Sequence, residues 1–287
     1  MAEAARVLEF DGASVLVFED AESACREAAE RIAGVVRAAV GTRGKAVLGL
    51  ATGGTPVAVY ARLVALHRAG KLSFADVSTY NLDEYYPIAP SDPKSYRVYM
   101  HEHLFGHVDV APNRAHVLDG TVPEAFATAH AAEFDRWIAA EGGLDLQLLG
   151  IGRNGHIGFN EPSDLPLNTA LTLPTRLVAL DPVTVADAAR DFGDESLVVR
   201  RALTVGVASI LAARSILVLA LGPHKADAVA RALRGPITPA LPASLLRASA
   251  GRVAWMLDKE AARGVASGGE RHLSAENADE HGKKTEY

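Results

Sequence analysis

A single imidazole set among glycines is the densest concentration of reactive groups in this sequence. Leu149-Gly-Ile-Gly-Arg-Asn-Gly-His-Ile-Gly-Phe-Asn-Glu-Pro162 places four glycines around His156 and returns a carboxylate, Glu161, five residues later. Glycine lets backbone approach a ligand closely, and an imidazole beside a carboxylate can shuttle protons near neutral pH. A lone histidine is more often structural, but its place in a loop directly after an apolar run favours catalysis. No metal-ligand spacing surrounds it, so no metal is expected.

Three further turns follow apolar runs. Leu50-Ala-Thr-Gly-Gly-Thr-Pro56 offers exposed N–H groups to an anion, with Thr55 placed to cap a helix that starts at Pro56. It matches neither the P-loop nor the dinucleotide fingerprint, and alone it reads equally as a tight strand-to-helix turn. Tyr80-Asn-Leu-Asp-Glu-Tyr85 puts two adjacent carboxylates at the end of a buried strand. Asp83 or Glu84 could act as a general base, although a cap or solvated loop explains the pair as well. Leu221-Gly-Pro-His-Lys225 opens a helix with a lysine. A cation there is unfavourable unless an anion joins it.

These turns need a frame. Strands are expected at Ser14–Phe18, Ala46–Leu50, Val77–Leu82, Leu144–Gly150, Ser215–Leu221 and Val253–Leu257. Helices are expected after Asp20, from Pro56, and near Ser95–Leu104, Pro123–Glu141, Val183–Phe192, Gly206–Ala213 and His224–Arg234. Near-continuous apolar strands alternating with helices indicate a doubly wound α/β sheet, mainly parallel and covered by helices on both faces. Ligands bind beyond the carboxyl ends of such strands. One α/β domain is expected over residues 1–263, followed by a disordered tail over 264–287, which lacks apolar periodicity.

A formal net charge of −6 without any long basic stripe argues against nucleic acid or an anionic membrane as partner. A small anionic substrate remains open, because a few local cations suffice. The only cysteine, Cys25, excludes an intramolecular disulfide and reads as a small buried hydrophobe. No leader-like start and no membrane-length apolar run appears, so a cytoplasmic location is expected. A homo-oligomer is left open.

Taken in order, the motifs resemble the glucosamine-6-phosphate deaminase family, within a wider group that includes 6-phosphogluconolactonases. The resemblance runs through Ala51–Pro56, Asn81–Tyr85, Ser95-Tyr96, Gly152–Pro162, Ala202–Gly206 and Gly222–Lys225. It implies a modified, Rossmann-like doubly wound fold and a reaction on a sugar phosphate without metal or organic cofactor. His156, helped by Glu161 and Asn154, would open the pyranose ring. Asp83 would take the C2 proton and return it at C1. Thr52, Gly53, Gly54 and Thr55, with Lys225 and Arg190, match the family's phosphate pocket.

Two departures stand out. Position 154 is Asn where enteric-type members carry Asp, and an amide orients an imidazole without adding charge. Within the divergent stretch Ser163–Arg176 and just beyond it, Val178 takes the place of a lysine used by allosterically regulated members. A 6-phosphogluconolactonase is expected to show Asp-Glu-Arg and a Gly-His followed by Ser-Leu-Phe-Pro; Asp83-Glu84-Tyr85 and Asn160-Glu161-Pro162 stand here instead. A galactosamine-6-phosphate deaminase differs by one hydroxyl configuration. A non-catalytic sugar-phosphate sensor should lack Asp83, His156 or Glu161.

Overall fold

The computed structural model describes residues 6–265. The expected disordered tail lies outside the described residues apart from Gly264 and Val265.

The chain opens with a hairpin, β1 (Arg6–Phe10) and β2 (Ala13–Phe18), joined by Asp11-Gly12. Both turn residues have positive φ, 48° and 85°, the conformation a tight two-residue hairpin turn demands. The sequence expectation began at Ser14 and missed β1. Asp20 then caps α1 (Ala21–Arg43) by accepting from the Ser23 N–H, and Gly44 at φ 72° ends that helix.

The expected alternation follows: β3 (Ala46–Leu50), α2 (Val57–Arg68), β4 (Val77–Asn81), β5 (Asp83–Tyr85), α3 (Tyr96–His103), β6 (Ala115–His116), α4 (Glu124–Ala140) and β7 (Leu146–Leu149). Beyond the histidine loop come α5 (Leu167–Leu171), β8 (Arg176–Ala179), α6 (Pro182–Phe192), β9 (Arg201–Thr204), α7 (Val207–Ala212), β10 (Ile216–Ala220), α8 (Ala226–Arg234) and β11 (Val253–Asp258).

Eight strands form one sheet in the order β1-β2-β11-β10-β7-β3-β4-β6, parallel except for β1. Helices cover both faces. Strands β3 and β10 are buried at every position, as their unbroken apolar sequences require. The order reverses between β3 and β7: after β3 the chain builds outward through β4 and β6, then returns to β7 on the other side. Such a switch point opens a crevice at the strand ends.

A second, antiparallel sheet, β5-β9-β8, was not anticipated. It takes over the chain right after β4. Leu82 donates to Leu50 O in the main sheet (2.9 Å) and accepts from the Val205 N–H (2.7 Å). Its own apolar cluster includes Tyr85, Phe159, Val185 and Ala202, with Val178 packed against it.

Candidate active site

The cleft lies at the switch point and has a volume of about 220 Å³. Its walls include Thr52, Gly53, Gly54, Thr55, Asp83, His156, Arg190 and Lys225. Residues from four separate turns and from α6 therefore converge, as the sequence reading requires. Asn154 and Glu161 stand behind the His156 ring rather than on the wall.

The turn after β3 is held from outside, Tyr99 Oη donating to Gly53 O at 2.7 Å. Gly53 has φ 92°, which favours glycine. One expectation is corrected here. Thr55 does not cap α2, whose first residue is Val57, with Pro56 at the cap position and no side-chain cap bond. Residues 54–56 form a turn of their own, which leaves Thr55 on the cleft wall.

The two adjacent carboxylates have different duties. Glu84 accepts from the backbone N–H groups of Tyr85, Tyr96 and Arg97 and from Ser95 Oγ, at 2.8–3.1 Å. It is spent on fixing the start of α3. Asp83 has one long contact, accepting from Thr52 Oγ1 at 3.5 Å, and is 5% exposed. Burial pushes its carboxyl up to about 8, the Glu84 charge adds to this, and Thr52 offsets a part. Its second oxygen lies beside Gly158, where an added Cβ would stand 3.4 Å away. Of the pair, Asp83 alone lines the cleft.

The histidine loop closes on itself through Gly152 N–H to His156 O (2.9 Å) and Gly155 N–H to Gly152 O (3.0 Å). The ring packs on Gly152 so closely that a Cβ there would stand 2.4 Å from it. Glycine is the only residue that leaves room. His156 Nδ1 lies 3.0 Å from Thr184 Oγ1 and 3.3 Å from Glu161 Oε2. Burial opposes ionisation of Glu161, but hydrogen bonds and charge from His156, with Thr184 and Asn154, outweigh it and hold the carboxyl below its ordinary range.

Asn154 does not bond the imidazole ring. Its Oδ1 accepts from the His156 backbone N–H (3.1 Å), and its Nδ2 donates to Glu161 Oε2 (3.0 Å). It orients the carboxylate that faces the ring. Thr184, on α6, is a contact the sequence reading missed. No motif marks it. Its i, i+3, i+4 spacing to Asp187 and Ala188 puts it on the face of α6 that lines the cleft. Six residues from Arg190 is not a same-face spacing, so the sequence reading had no anchor for it.

The turn after β10 is pinned by Asp258, both of whose oxygens accept from the Gly222 N–H, at 3.0 and 2.9 Å. A single 3-10 turn, Pro223–Lys225, then leads into α8. Among the described residues, Lys225 has no carboxylate within 4 Å. Burial lowers its pKa, Asp187 partly opposes that, and Arg153 adds to it. Arg190 is far more exposed, with Asp191 beside it at 3.5 Å. No group of three or more His, Cys, Asp or Glu among the described residues could hold a metal ion.

A buried carboxylate, an imidazole facing a second carboxylate and a lysine without a near carboxylate thus meet at one switch point of an α/β sheet. The family described as glucosamine-6-phosphate isomerases/6-phosphogluconolactonase matches residues 19–255, and the chain belongs to it. A glucosamine-6-phosphate deaminase of Rhodopirellula baltica is 45% identical over 235 residues, 82% of this chain and 90% of that one. A solved monomeric glucosamine-6-phosphate deaminase is 38% identical with a TM-score of 0.81, covering 87% of this chain and 99% of that one. The 6-phosphogluconolactonase of Trypanosoma brucei shares the fold at 20% identity, with a TM-score of 0.71 over 90% of this chain and all of that one.

Proposed function

We propose that the protein deaminates glucosamine 6-phosphate, giving fructose 6-phosphate and ammonia. The observation that carries this reading is Asp83: a buried carboxylate, almost unpartnered, on the wall of the cleft that also holds an unpaired lysine. Moving a proton between neighbouring carbons needs one positioned base that both takes and returns it. Hydrolysing a lactone moves no carbon-bound proton and gives such a group nothing to do. The deaminase relatives support the same choice.

In this mechanism His156, with Glu161 facing Nδ1, relays the proton that opens the pyranose. Asp83 removes the C2 proton of the open aldehyde, leaving an enolamine, and delivers it to C1. The resulting C2 iminium takes up water and expels ammonia, so one water is consumed. Thr52, Gly53, Gly54 and Thr55 bind the phosphate through the turn after β3, with Lys225 and Arg190 as its cations. The substrate's charge keeps it from crossing a bilayer unaided, which accords with a cytoplasmic setting. No helix among the described residues is long and apolar enough to cross a membrane.

Ammonia release should be measured with glucosamine, galactosamine and mannosamine 6-phosphates, alongside hydrolysis of 6-phosphogluconolactone. The glucosamine ester is expected to be the best substrate. Lactone hydrolysis without ammonia from any amino sugar would overturn the reading.

Thr184 belongs to this mechanism as a positioning residue. Its hydroxyl and Glu161 both meet Nδ1, which leaves Nε2 for the sugar. Thr184→Val is expected to lower kcat about tenfold, one hydrogen bond's worth, with little change in KM, while Thr184→Ser restores the rate. Steady-state kinetics of the two variants check this, and a Ser variant as slow as Val would assign the residue to packing.

A further inference from the structure

Arg153 and Asp187 form an ion pair at the edge of the cleft that the mechanism above does not use. Arg153 Nε donates to both Asp187 oxygens at 2.9 Å, and its Nη2 lies 2.6 Å from Oδ1. This is the forked arrangement in which a guanidinium also grips phosphate. Arg153 belongs to the histidine loop, one residue before Asn154. Asp187 projects from α6, one turn after Thr184.

The placement of Asp187 is unusual for a surface pair. Its side chain lines the same cleft as Gly53, Gly54, Arg190 and Lys225. A carboxylate therefore stands beside the Gly53-Gly54 turn, Arg190 and Lys225, and unlike Asp191, which lies next to Arg190, it is tied to a guanidinium from the histidine loop. Both Asp187 and Arg153 act electrostatically on Lys225, in opposite senses. An incoming phosphate, itself carrying close to two negative charges at pH 7, meets a carboxylate that is already bound bidentately by a guanidinium.

We infer that Asp187 is an internal anion that occupies the phosphate site's guanidinium before substrate arrives, and that Arg153 is a phosphate ligand exposed when Asp187 gives way. The exchange replaces one charge-assisted fork with another, so it costs little in enthalpy, while the carboxylate must turn towards solvent. Asp187 thereby weakens the site for every anion. It also keeps the cations of the empty pocket from repelling one another. Phosphate binding is linked to the position of α6, because the residue that yields sits on the helix carrying Thr184 and Arg190.

This inference rests on the phosphate pocket proposed above, and the test separates the two. Inorganic phosphate is titrated calorimetrically into the full-length protein, into Asp187→Asn, into Asp187→Ser, and into the double variant Arg153→Gln/Asp187→Asn. Removing a like charge at this range should tighten phosphate binding about five- to tenfold in both single variants. The double variant should lose that gain, because the freed guanidinium is its source. Wild-type binding with neither single variant tighter would overturn this inference alone, leaving the pair as a clasp between loop and helix. A gain that survives in the double variant would overturn the role of Arg153. Absence of phosphate binding by all four proteins would overturn the pocket, and the inference with it.

Discussion

Asp83→Asn is expected to lower kcat by about 10²–10⁴-fold, the usual contribution of a general base, while substrate binding stays close to that of the parent. The amide keeps the shape and can still accept from Thr52, but it cannot take the C2 proton. The same variant should be more stable than the parent, with a defined pH dependence. Burial raises the folded carboxyl to about 8, whereas in the unfolded chain it titrates near about 3.9. Below about pH 4 both states hold the proton and Asp83 costs nothing. As pH rises towards 8 the unfolded chain ionises first, and the stability of the folded parent is progressively lost. Thermal melting at pH 4, 6 and 8 should therefore show a gap that widens in favour of Asn. A variant with normal turnover, or a gap that narrows with pH, would show that Asp83 is not the buried base.

Lys225→Ala is expected to raise KM for the sugar phosphate about 10- to 100-fold, from the loss of a charge-assisted hydrogen bond. Unphosphorylated glucosamine should be turned over no worse by the variant than by the parent. Lys225 is part-buried and has no carboxylate within 4 Å among the described residues, although Asp187 acts on it from farther away, so no direct salt bridge is broken by its removal. Arg190→Ala should act in the same direction but more weakly, because the Arg190 side chain is 83% exposed and solvent screens its charge. Initial rates for both substrates over a range of concentrations decide this. An equal loss for both would make Lys225 structural.

The parts of this molecule that could be read in advance are those whose cause is local. β3 and β10 announce themselves as unbroken apolar runs, and Asp20 before the alanine-rich α1 is a cap with a one-residue address. The chemistry was legible because each motif follows directly on such a strand. β1 was missed although Asp11-Gly12 is a strong hairpin signal; its alternation of exposed and buried positions is too short to stand out. The second sheet could not be read. β5, β8 and β9 have three to four residues each, and β5 finds its partner across more than a hundred residues of chain. Side-chain partners were the least accessible. Whether Asn154 reaches the ring or the carboxylate, and whether Thr184 reaches either, depends on where α6 docks, which no single segment encodes.

The order of strands also sets a dimension. Lys225, His156, the Thr52–Thr55 turn and Asp83 follow β10, β7, β3 and β4, which are consecutive neighbours in the sheet. Neighbouring strands lie about 4.8 Å apart, so these four stations stand along a ruler graduated by backbone hydrogen bonding. Under the proposed mechanism, the span from the carbon being deprotonated to the phosphate is therefore scaled by strand spacing, with the turns that carry the side chains setting the remainder. Changes in these turns can retune the fit to a substrate, whereas the order of the four stations across the cleft is fixed by the order of the strands.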